Sequence, residues 1–186
     1  MKFVKSALAL GMCCVVVQAM AADGEINFIG SVTANTCSVS VGDMNGSAGG
    51  NVSLGNVPAL SLKKVGDTAG AASFALTLTA PAVGEGGTDH CVLTDKTATV
   101  RFLSMNGAAG PNGEWIGLEG AGTAGVAKNI AVQIRDAKGM DVQLGRSSSE
   151  YADLTQPMRF TANYIATGEA TPGTAKAKAA FSIDYK

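Results

Sequence analysis

Histidine occurs once in this chain, and charged side chains make up 16% of it, below the ~25% usual for soluble domains. One histidine, His90, cannot build a multi-histidine metal site, and it leaves little for acid–base chemistry. The formal net charge of −1 supplies no basic field for nucleic acid or for an anionic membrane surface. Aromatic residues are likewise scarce, at 5% of the total. Beyond the first twenty-odd residues no apolar run is long enough to anchor the chain in a bilayer.

What the sequence has is small and apolar. Hydrophobic residues reach 46% and glycine numbers 24, a composition for a β-protein with many turns. The start, "MKFVKSALALGMCCVVVQAMAA", carries Lys2 and Lys5, an apolar run from Ala7 to Val17, and Ala19-Met20-Ala21. A basic start, a run too short to span a bilayer and small residues at −3 and −1 describe a cleaved secretory signal. Residues 1–21 are therefore expected to be removed. That takes Lys2 and Lys5 away, so 14 basic residues fall to 12 against 15 acidic ones, a net charge of about −3. Cys13 and Cys14 leave with the signal. A lipid anchor on either is disfavoured, because Met12 or Cys13 stands where a small residue should precede the acylated cysteine.

Cys37 and Cys91 remain, an even pair in a chain bound for an oxidising compartment, and a disulfide between them is expected. It would close a loop worth ~4 kcal/mol in the chain-entropy model.

Period-two alternation dominates the rest. It runs through "EINFIGSVTANTC", "NVSLGNV", "SFALTLT", "TATVRFL" and "PMRFTANYIATG". In "KNIAVQIRDAKGMDVQLG" it predicts two strands joined by a turn at 136–139. No window carries a long helical stripe. Seven or eight strands at this spacing predict an antiparallel sandwich of immunoglobulin type.

Motifs with possible chemistry dissolve on inspection. "GAGTAG", residues 120–125, fits a dinucleotide fingerprint, but a strand-like segment follows where a helix would be required. His90 beside Cys91 would need a free thiolate, and a disulfide removes it. The serines of "GRSSSEY" have no histidine to activate them. Trp115 reads as a packing residue. No catalytic constellation, metal site or cofactor site is expected.

The two ends of the mature chain are both strand-like with one apolar face. The first presents Ile26, Phe28, Gly30, Val32 and Ala34; the last presents Ala175, Ala177, Ala179, Phe181, Ile183 and Tyr185. Either the first segment folds back on its own domain, or each domain is a strand short and is completed by a neighbour. At these residues the chain resembles the major structural pilins of chaperone–usher fimbriae of the type 1 kind. "DGEINFIGSVTANTC" is similar to the family's N-terminal extension. "GTAKAKAAFSIDYK" is similar to its closing strand, with Gly173 fourteenth from the end and Tyr185 penultimate.

The resemblance implies an immunoglobulin-like sandwich lacking its last strand. Residues 22–36 would be a donor-strand extension and 37–186 the pilin domain. Ile26, Phe28, Gly30, Val32 and Ala34 would fill pockets of the next subunit, with Gly30 at a shallow one. Gly173, Phe181, Ile183, Tyr185 and the Lys186 carboxylate would form the acceptor groove and chaperone contact, and the single disulfide agrees. The implied partners are a periplasmic chaperone, an outer-membrane usher, further copies of the chain and minor pilins. The implied location is a cell-surface fimbria that supports adhesion. A monomeric exported sandwich that binds a ligand or receptor is the alternative.

Overall fold

The computed structural model describes residues 37–43, 50–79 and 93–186. These residues contain β1 (Ser38–Asp43), β2 (Thr68–Thr79), β3 (Ala98–Ser104), β4 (Ala108–Ala109), β5 (Trp115–Ile116), β6 (Ile130–Asp136), β7 (Met158–Ala166) and β8 (Ala179–Tyr185). One turn of 3-10 helix, Ala59–Ser61, is the only helix among them. A six-stranded sheet has the order β1-β2-β7-β6-β5-β4, and a second sheet pairs β3 with β8. Every strand pairing is antiparallel.

Alternation decides which residues meet between the layers. On β2, Phe74, Leu76 and Leu78 face inward, as do Met158, Phe160 and Ala162 on β7 and Val132 and Ile134 on β6. Ala98, Val100 and Phe102 face them from β3. Phe102 crosses Phe160 edge-on at 5.2 Å between ring centroids, and Phe74 stacks on Phe160 at 5.5 Å. Three of the chain's six phenylalanines thus join the sheets. Each such burial is worth roughly 1.5–3 kcal/mol. The fold is an all-β antiparallel sandwich, as the alternation predicts.

Three local expectations differ from the structure. Residues 51–57, "NVSLGNV", keep the alternation, with Val52 and Leu54 packed against the core. They nonetheless enter no ladder among the described residues. The turn at 136–139 forms, with Gly139 N–H donating to Asp136 O at 2.9 Å. Its second arm, however, makes only one bridge, Arg135 with Asp141, before Leu144 N–H donates to Glu114 O. Met140 consequently stays 62% exposed while Val142 is buried. Finally, β1 is a strand that the sequence reading passed over.

Candidate functional site: an apolar groove between two rims

A groove of about 820 Å³ opens in the sandwich. Its floor is the core itself: Phe74 and Leu76 of β2, Phe102 of β3, Ile116 of β5, Val132 and Ile134 of β6, Ala162 and Tyr164 of β7. One rim is residues 50–56 beside Val41, and the other is residues 175–179 with Phe181.

Both rims carry backbone groups that have no main-chain partner among the described residues. Among the described residues, β8 has β3 as its only neighbour. Thr97 and Lys186 exchange hydrogen bonds in both directions, and Met105 N–H donates to Lys178 O at 3.0 Å. Lys176 O accepts from Glu119 N–H at 2.7 Å. Even-numbered residues of this strand therefore face β3 and its extension. By the period of two, the backbone groups of Ala177, Ala179, Phe181, Ile183 and Tyr185 face the opposite way. On the other rim, Gly50 N–H donates to Val41 O at 3.3 Å. Within the described residues, the backbone N–H groups of Asn51 to Asn56 have no partner on the main chain.

The rims run in opposite directions. Residue 50 lies beside Val41, opposite Leu76, whereas Leu54 lies beside Gly70 and Tyr164. Ala175 is bonded by Tyr164, whereas Phe181 lies 6.5 Å from Phe102 between ring centroids. Any strand laid between them is antiparallel to one rim and parallel to the other.

The charged residues that line the groove, Glu119, Lys176 and Lys178, lie at one rim. A rim pair, Lys178 with Glu119 at 3.3 Å, is largely exposed. Among the described residues no group of His, Cys, Asp and Glu is arranged to hold a metal ion. Such a groove can bind apolar side chains and a polypeptide edge. A family profile described as fimbrial protein matches residues 26–186.

The chain belongs to the fimbrial protein family. It is 34% identical to the type 1 fimbrial subunit of Klebsiella pneumoniae over 168 residues, 88% of this chain and 84% of that one. It is 31% identical to the major MR/P fimbria protein of Proteus mirabilis over 197 residues, covering all of both chains. A solved chaperone–usher pilus subunit, from work on rod uncoiling, superposes at a TM-score of 0.52 and 16% identity. That likeness covers 94% of this chain and all of the other, and it carries the fold alone. The protein is thus a structural subunit of a cell-surface fimbria, assembled with other fimbrial subunits. It belongs to a family of building blocks and not of enzymes.

The sequence-derived site residues of this fimbrial subunit separate in space. Phe181 lines the groove. Ile183 and Tyr185 continue the same inward face, packed against the core but only half-buried. Burial pushes the Tyr185 phenol above its ordinary pKa. Gly173 lies outside the groove lining; a Cβ there would stand 2.4 Å from Ala127 N. Lys186 closes the strand through Thr97 and pairs with Glu150 at 3.5 Å. Cys37 is disulfide-bonded, while Cys91 and the residues Ile26, Phe28, Gly30, Val32 and Ala34 lie outside the described residues. Trp115 packs in β5, half-buried, with its Nε1–H donating to Asp141 Oδ2 at 3.0 Å.

The floor residues and the 50–56 rim were missed as a site by sequence reasoning. The available signal was the alternation of "NVSLGNV" with no second segment to pair it.

Proposed function

We propose that the groove receives residues 22–36 of another copy of this chain as a donor strand, so that subunits polymerise by strand exchange. The observation that carries this reading is the apolar groove between two oppositely directed edges that have no strand partner among the described residues on their groove sides. A strand antiparallel to β8 would meet five outward-facing residues, Ala177 to Tyr185. The arm offers five in-phase side chains, Ile26, Phe28, Gly30, Val32 and Ala34. Burying Ile26, Phe28 and Val32 would contribute roughly 4–9 kcal/mol. Each ladder hydrogen bond adds ~1 kcal/mol net. A strand that must leave as a unit dissociates very slowly, which suits a fibre.

An apolar groove with a free edge invites aggregation before assembly. The reading therefore includes export through the periplasm after loss of residues 1–21, with a chaperone covering the groove and gripping the Lys186 carboxylate. An outer-membrane usher would then exchange the chaperone for the arm of the next subunit, whether another copy or a minor pilin. Cys37 is assigned to Cys91 as its disulfide partner.

Deleting residues 22–35 tests the arm. The truncated subunit is expected to fold and to accumulate bound to its chaperone, yet to form no fibres when it is the sole subunit. Ordinary fibres from that protein alone would overturn the donor role.

A further inference from the structure

One side chain on the groove floor bonds one rim, and its ring flanks the glycine beside which the other rim passes. The Tyr164 hydroxyl donates to Ala175 O at 2.9 Å on the β8 side. On the other side, the bare backbone of Gly70 is where the first rim arrives. A Cβ at Gly70 would stand 2.5 Å from Leu54 O, 2.9 Å from Val57 Cγ2 and 3.2 Å from the Tyr164 ring. Gly70 sits at φ +70°, inside the bulge of β2 between Ala69 and Ala72. Tyr164 itself is paired opposite Ala69.

Ala175 is an odd-numbered residue of the β8 extension. Its even neighbours Thr174 and Lys176 turn their backbone groups to Gly125, Ala127 and Glu119. Its own carbonyl therefore points away from them, in the direction of the outward-facing ladder. It would be the first acceptor an added strand meets at this end, and the tyrosine already holds it.

We propose that Tyr164 is the end stop of the groove: it takes the Ala175 carbonyl, closes the gap to the Leu54 rim, and limits pairing of an added strand with β8 to Ala177 and beyond. This rests on the donor-strand reading and adds to it the residue that fixes where the strand must stop. Tyr164 acts by position, through the rim it bonds. Without such a stop, a strand whose apolar residues repeat every second position can slip by two and still bury the same face.

Residue-resolved amide exchange on fibres of the full mature chain tests this. In wild-type fibres, Ala177, Ala179 and Phe181 should exchange at least about a hundredfold more slowly than exposed loop amides, with Ala175 exchanging as a loop residue does. In Tyr164→Phe fibres, which keep the ring and lose the hydroxyl, protection should extend to Ala175. Wild-type protection running evenly through Ala175 would overturn the end stop, as would Tyr164→Phe fibres with the wild-type pattern. An absence of protection at all four residues in wild-type fibres would instead overturn the donor-strand reading. The wild-type measurement decides the limit at Ala177 even if the variant does not assemble.

Discussion

Ser149 N–H donates to Asp136 Oδ2 at 2.9 Å, tying the end of β6 to a loop 13 residues further along. The other carboxylate oxygen of Asp136 accepts from Lys138 N–H at 2.9 Å and Met140 N–H at 3.0 Å. With 4% of its surface exposed, this carboxylate is a bracket of three charge-assisted bonds. Burial alone would raise its pKa, but the bonds from Ser149, Met140 and Lys138 outweigh burial and hold it below the ordinary value. A carboxyl with a depressed folded pKa stabilises the fold fully above about pH 4, and that contribution is lost as pH falls through the depressed value. Asp136→Asn should therefore cost about 2 kcal/mol near neutrality. The gap from wild type should narrow as denaturation midpoints are measured at lower pH. A constant gap from pH 7 to pH 2 would contradict the ionic bracket.

Gly173→Ala should damage the fold before it damages assembly. Ala127 N–H donates to Thr174 O at 3.0 Å and Thr174 N–H to Gly125 O at 2.8 Å. This tight crossing leaves a Cβ at residue 173 within 3 Å of three backbone atoms. Backbone cannot swing aside as a side chain can, so a loss of about 1–3 kcal/mol is expected. Chemical denaturation of the isolated variant checks this. Wild-type stability combined with failed fibre formation would place Gly173 in the groove instead.

Gly30→Leu should spare folding and abolish exchange. The proposal sets Gly30 on the apolar face of the donor arm, between Phe28 and Val32, where added methylenes cost ~1–3 kcal/mol or more in a packed site. The measurement is the rate at which synthetic peptides of residues 22–36, with Gly or Leu at position 30, displace chaperone from wild-type subunit. The Leu peptide is expected to be slower by at least about tenfold, the equivalent of 1.4 kcal/mol. Equal rates would remove Gly30 from the groove.

Much of the sandwich could be read directly from residue order. Side chains of a strand alternate faces whatever their partner, so Phe74, Leu76 and Leu78, or Met158 and Phe160, declare an inward face locally. The same local rule marked Phe181, Ile183 and Tyr185 as one face, and the turn at 136–139 announced itself through its glycine. Family resemblance at the two ends pointed to fibre assembly for the same reason, since a periodic edge segment keeps its pattern in sequence.

Pairing is not local, and there the tertiary structure decided. Alternation in "NVSLGNV" predicts an extended segment; only the course of the chain beside Val41 and Gly70 makes it a rim of the groove. The family resemblance sets Gly173 at the start of the closing strand, and the backbone of Val126 and Ala127, nearly fifty residues away in sequence, leaves no room there for a Cβ. Asp136 carries no pattern that names Ser149, nor Tyr164 any that names Ala175. Each bond depends on two segments arriving at hydrogen-bonding distance, and that is a property of how strands stack and cross, which a period of two does not encode.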